Sequence, residues 1–276
     1  MTPEAGRPSE ISQNEIGQTL QRYIDSDEFS QHARSRNTWL AYKDDLSHFG
    51  VFCQNNGIAS TELIQSHHVN KWFEQLETQG FSPSTINRRR SGLSGFFDWA
   101  VIKGLLPEEI ALVLPKWKER SGARSLKSLT DDQAYILLET AKTKSSLRDA
   151  VIISIALKTG AKGREIMDLN LEDIIETKNH KMKLRFNNIR KNQSRTVLLD
   201  KELKKLINNY IIEENLKPGQ PLFTKIHCKN RLTRQGFWLN LQEYKNTVRT
   251  DELTLTILRN TYFENLARQE KKPTQK

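Results

Sequence analysis

The chain has 276 residues, with 43 Lys and Arg against 33 Asp and Glu, giving a formal net charge of +10. That length favours two compact units, each able to build its own core, and the surplus positive charge suits a polyanionic partner. The longest apolar stretch, Ala150 to Leu157, is interrupted by Ser154 and is far too short for a bilayer span, so no membrane partner is expected. The opening MTPEAGRPSEISQNE lacks the basic start and apolar run of a secretory signal, so a cytoplasmic, nucleoid-associated protein is expected. Cys53 and Cys228 stand alone, without a CxxC or a nearby His cluster, which argues against a disulfide framework and a structural zinc.

Residues 1–11 mix Pro, Gly, Ser and Glu without apolar periodicity and read as a flexible lead. Ile16, Leu20 and Tyr23 then share one helical face. A broad apolar stripe of Trp39, Leu40, Leu46, Phe49, Val51 and Phe52 predicts a helix over 36–55, with Gly57 where it stops. A third helix, over 68–78, is ended by Gly80. Ser82-Pro83-Ser84 is a cap and first-turn signal for a fourth over about 85–103, closed by Gly104. These four make a helical domain over 12–115. The charged, stripe-free 116–128 reads as an exposed linker, and a second domain spans 129–276.

In that second domain Thr130 or Asp131 can cap a helix carrying Tyr135, Ile136, Leu137 and Leu138, and a buried helix follows over 147–158. Another short helix begins at Gly163. Met182, Leu184 and Phe186 alternate with Lys and Arg, answered by Val197 and Leu199 across an Asn-rich connection, which is a hairpin pattern. Helices return at about 201–214, 233–244 and 254–268. The fold class is therefore mainly α with a small antiparallel β-sheet.

The stretch RDAVIISIALKTGAKGREIMDLNLEDI, from Arg148 to Ile174, resembles the signature of the tyrosine recombinase, or phage integrase, family. Other pieces follow the family order: SPSTINRRRSGLSGFFDWA, Leu129-Thr130, the hairpin, Pro221-Leu222-Phe223, RLTRQGFW from Arg231, and LTLTILR ending at Arg259. The resemblance spans roughly residues 14–268. It implies an N-terminal helical core-binding (SAM-like) domain and an α+β catalytic-type domain that close like a clamp around double-stranded DNA, with no metal or cofactor. It also implies Xer- or integrase-like assembly, as a homo-oligomer or with a partner recombinase.

Cleavage in this family is phosphoryl transfer to a Tyr nucleophile. Two Arg and a His neutralise the five-coordinate phosphate, and a hairpin Lys protonates the leaving oxygen. Mapped by the resemblance, the first Arg position is Lys162, which keeps the charge but loses the bidentate fork. Arg164 is a poor substitute, because two helical steps turn a side chain by about 200°. Glu165 matches the acidic position. The hairpin Lys falls at Lys191 or at Arg190, and Arg cannot give up a proton near neutral pH. The His of His-x-x-Arg is Thr256, Arg259 remains, and Asn260 stands where His is common.

The only Tyr after Arg259 is Tyr262, at a packing position, and the family's terminal segment is missing before Lys276, so a C-terminally truncated chain without its nucleophile is expected. The residues expected to contact DNA are Lys43, Asn87, Arg88, Arg89, Arg90, Arg231, Arg234 and Gln235, most through phosphate. Trp39, Trp72, Trp99 and Trp238 are expected in the cores. The function expected is a DNA-binding regulator or accessory factor, a pseudoenzyme from a mobile-element lineage. The alternative is an active site-specific recombinase represented by a shortened chain.

Overall fold

The structure, a computed structural model, describes residues 15–119, 127–144, 147–179, 181–188, 193–225 and 228–270. It divides into two compact units, residues 1–123 and 124–276.

In the first unit α1 (Glu15–Ile24) buries Ile16, Leu20, Tyr23 and Ile24. It is followed by α2 (Asp27–Ala33), α3 (Arg36–Asn55), α4 (Ser66–Thr78), α5 (Pro83–Ile102) and the short α6 (Glu108–Leu112). Side-chain caps start the helices: the hydroxyls of Ser26, Ser35 and Ser82 accept from the amides of Phe29, Thr38 and Thr85. Glycines stop them. Gly57, Gly80 and Gly104 have φ of 69°, 76° and 67°, and the next residue donates back to the last turn, as Phe81 does to Leu76 O (3.1 Å) and Leu105 to Ala100 O (2.8 Å). The core gathers Leu20, Tyr23, Phe49, Phe73, Phe96 and Phe97. Leu40 and Val51, expected in the α3 stripe, are exposed, because Leu46, Phe49, Phe52 and Cys53 define the buried face.

One carboxylate ties α3 to α5. Asp45 is buried; its Oδ2 accepts from Arg88 Nη1 at 2.5 Å, while Arg89 Nε lies 3.3 Å from Oδ1. The Arg89 guanidinium also stacks 4.2 Å from the Phe81 ring.

The second unit comprises α7 (Asp131–Lys144), α8 (Leu147–Thr159), α9 (Gly163–Met167), strands β1 (Ile174–Glu176), β2 (Met182–Asn188) and β3 (Gln193–Leu198), then α10 (Lys201–Glu213), α11 (Arg234–Val248) and α12 (Leu255–Glu270). The strands form an antiparallel sheet in the order β1-β2-β3, with Leu184 opposite both Ile174 and Val197. Met182, Leu184 and Phe186 face the core, whereas β3 is largely exposed. Every residue from Ala150 to Ala156 is buried, so α8 is the hydrophobic axis of the unit, packed by α7, α10 and α12. In α7 it is Leu137 and Ala141 that face inward; Tyr135 and Ile136 are exposed. Among the described residues, no helix is long and apolar enough to cross a membrane.

Asp45→Ala leaves Arg88 and the buried Arg89 without their shared anion. Loss of one partner from a buried ion pair costs about 3–5 kcal/mol, and it is expected as a fall in the urea midpoint of that variant.

Candidate functional site

The second unit contains an open cleft of about 970 Å³, lined by residues from the α8–α9 turn, the start of α11 and the start of α12, together with Lys127. Its position follows from local sequence. After α8, Gly160 adopts φ +60°, and a Cβ there would lie 2.5 Å from Tyr262 Cδ1. Only glycine lets α12 approach so closely. Lys162 then takes extended backbone (φ −71°, ψ 148°) as the N-cap of α9, its amide donating to Glu165 Oε2 at 2.8 Å.

Lys162, Thr256 and Arg259 all line this cleft, so the structure brings together three residues placed there by the resemblance. Lys162 and Thr256 are exposed. Arg259 is held: Nε donates to Gly160 O at 3.0 Å and the guanidinium lies 4.7 Å from the Phe263 ring. Arg164 lines the cleft too, with Nε 3.2 Å from Asp168 Oδ2. Lys162 lies outside the helix as its N-cap, so the two side chains are not related by two helical steps. Tyr262 packs on Gly160 and edge-on against Phe263, 5.1 Å between centroids. Arg190 and Lys191 lie outside the described residues.

Glu165 sits behind the cleft. Burial pushes its carboxyl up, but the Lys162 amide and the Arg195 guanidinium, 3.1 Å away, outweigh that and hold it below its ordinary value. Arg195 in turn lies 4.6 Å from the Phe186 ring, so the carboxylate fastens the α9 turn to the hairpin.

At the start of α11, Thr233 caps the helix through the Gly236 amide (3.0 Å), leaving Arg234 and Gln235 exposed on the cleft wall. Trp238, expected in the core, is 45% exposed and lines the cleft: Phe237, Leu241, Tyr244 and Val248 form the buried face, and Trp238 is one step off it. Arg231 is used internally. Its Nη1 donates to Met167 O and Leu169 O, both at 2.9 Å, and its Nη2 to Asn170 Oδ1.

In the first unit the arginine run of α5 is spent mostly on the fold. Arg89 is 5% exposed and belongs to the Asp45 pair, which removes it as a surface contact. Arg88 shares that carboxylate and donates to Ala41 O, yet its side chain stays 39% exposed. Arg90 Nε donates to Pro115 O, and its guanidinium lies 4.9 Å from the Trp117 ring. Asn87 exchanges two 2.8 Å hydrogen bonds with the backbone of Lys118. The start of the expected exposed linker is thus strapped to α5, because Asn87 presents an amide donor and acceptor in the pattern of a neighbouring strand. Lys43, half-buried, rests over the Trp39 ring at 5.4 Å.

With this geometry in view, a model of the phage integrase family matches residues 127–274, and one of the phage integrase N-terminal SAM-like domain matches residues 21–104. The chain belongs to the phage integrase, or tyrosine recombinase, family. A provisionally assigned tyrosine recombinase of Caldanaerobacter subterraneus subsp. tengcongensis is 27% identical over 240 residues, 84% of this chain and 78% of that protein. Tyrosine recombinase XerC of Roseiflexus castenholzii is 25% identical over 233 residues, 83% of this chain and 74% of the relative. Among solved structures, XerH site-specific recombinase bound to difH substrate in a pre-cleavage complex superposes with a TM-score of 0.68 at 18% identity. That match covers 95% of this chain and 81% of XerH, and it shows a shared fold.

Two outcomes test the local assignments. Because the Glu165 carboxyl is depressed on folding, its contribution is complete above the ordinary value near 4.5 and is lost as pH falls through the folded value. Glu165→Gln is therefore expected to cost about 1 kcal/mol at neutral pH, with wild type and variant converging in denaturant titrations below that range. Asn87→Ala should raise amide hydrogen exchange at Trp117 and Lys118 severalfold without altering exchange in α8.

Proposed function

We propose that this chain binds duplex DNA through the cationic cleft of its second unit and that its strand-cleavage site is degenerate. It then acts as a DNA-binding regulator or accessory factor of the recombinase type. One observation carries the reading: among the described lining residues, Lys127, Lys162, Arg164, Arg234 and Arg259 are cationic, against a single carboxylate, Glu252. A concave surface of one sign concentrates a polyanion, and XerH, of the same fold, is a DNA-bound recombinase.

Two substitutions support degeneracy. Lys162 offers one compact ammonium where the family site uses a guanidinium that grips two phosphate oxygens. Thr256 supplies a neutral hydroxyl where an imidazole can carry charge and a proton. Loss of one preorganised donor to a transition-state oxyanion costs about 3–4 kcal/mol, so two such losses suppress cleavage even where binding persists.

A second reading, that of an active site-specific recombinase, is favoured by the gathering of Lys162, Arg259 and the Glu165-supported turn at one cleft.

One titration and one trap separate the two. Binding to a fluorescent duplex is expected to weaken with salt at a slope of about −4 in log K against log[salt], the slope for four or five released phosphate contacts. A nicked suicide duplex is expected to yield no covalent adduct on denaturing gels. Salt-independent binding would overturn the first reading, and a covalent adduct would establish the second.

A further inference from the structure

Residues 127–129 have no helix or strand of their own, yet three residues of α12 pin them. Asn260 Nδ2 donates to Lys127 O at 3.1 Å, the buried Thr261 Oγ1 accepts from the Leu129 amide at 2.9 Å, and Ser128 Oγ donates to a Glu264 carboxylate oxygen. From this fixed backbone the Lys127 side chain emerges into the cleft. It is 67% exposed, and its Nζ lies 2.9 Å from Glu252 Oε2. Glu252 is itself half exposed and is the one carboxylate among the described lining residues.

We infer that Lys127 is a phosphate-binding residue of the cleft, parked on Glu252 in the free protein and transferred to a backbone phosphate when duplex DNA enters. The inference rests on the DNA-binding reading and names a residue and an exchange within it. An exposed Lys–Glu pair is weak, because water screens both charges. A phosphate contact gains more, since it releases a condensed counterion from the duplex. Exchange of partners is therefore downhill, and Glu252 lowers affinity by competing for the ammonium and by repelling the incoming anion. Asn260 is a positioning residue, acting on the Lys127 carbonyl rather than on DNA.

The test measures affinity and salt slope for a labelled duplex by fluorescence anisotropy with the full chain. Lys127→Ala keeps the carbonyl that Asn260 holds, so the segment stays pinned. It is expected to weaken binding roughly fivefold near 0.15 M salt and to make the slope shallower by about 0.9, the signature of one lost phosphate contact. Lys127→Arg should restore both. Glu252→Gln should strengthen binding, while Asn260→Ala should weaken it by less than Lys127→Ala. Lys205→Ala, an equal charge change at an exposed position of α10, is the control and should leave the slope unchanged.

A purely structural ion pair predicts that Lys127→Ala and Glu252→Gln shift affinity in the same direction, and that result would overturn the inference. So would a Lys127→Ala slope equal to that of the control in a protein that still binds. A wild-type chain that binds no duplex overturns the DNA reading and this inference together.

Discussion

The cleft of the second unit depends on the approach of α12 to the carboxyl end of α8 at Gly160. Its backbone is left-handed, and the ring of Tyr262 occupies the space a side chain would need. The Gly160 carbonyl receives Arg259 Nε, and Phe263 lies under the same guanidinium. Two residues further on, Lys162 leaves the same stretch as the N-cap of α9, with Glu165 holding its amide. A run of six residues therefore carries the contact that seats α12, one cation of the cleft and the carboxylate that ties the turn to β3. Charge from α12 and charge from the α9 turn meet because one glycine permits it. In such a site position is set by backbone packing, and electrostatics acts on positions already fixed.

What the sequence disclosed and what it hid divide along physical lines. Helix stops were legible at Gly57, Gly80 and Gly104, since glycine takes a positive φ without the steric penalty of a side chain, whereas the left-handed caps at Arg34 and Arg249 carried no such signal. The cap at Ser82 and the first-turn Pro83 were equally direct. Helix α8 was legible because a continuous apolar run bounded by polar residues has few other uses. The missed elements are short or polar: α2 reads DEFSQHA, with one large apolar residue, α6 has five residues, and β1 has three. Their stability comes from packing and register, which periodicity over so few positions does not report.

Charged residues were the least legible class. Arg88, Arg89 and Arg90 look alike in the sequence, yet one pairs on a buried carboxylate at the surface edge, one is inside, and one holds residues 115–117 against α5. The deciding partner, Asp45, lies on another helix some 43 positions away. Arg231 and Arg234, three residues apart, likewise separate into an internal brace, bonded to the Met167 and Leu169 carbonyls at and just beyond the end of α9, and an exposed cleft residue. A guanidinium with its five donors is as useful for closing a loop as for gripping a phosphate. Composition therefore overstates the cationic surface, and the cleft residues emerge only after the internally committed arginines are removed.

Charge and geometry are separable demands on such a cleft, and they tolerate substitution differently. Attraction of a polyanion depends on the number of cations and on their exclusion from neutralising partners; Lys in place of Arg costs it little. Stabilising a pentacoordinate phosphate demands donors aimed within a few tenths of an ångström, and there the planar fork has no ammonium equivalent. The chain keeps Lys162 exposed at the N-cap and seats Arg259 through a backbone carbonyl and an aromatic face, yet presents a threonine at position 256. Lys162 and Arg259, two cations of the cleft, thus each have a structural support in the fold. Binding and bond-breaking at such a cleft are therefore separable measurements, the first set by the count of exposed cations and the second by the aim of individual donors.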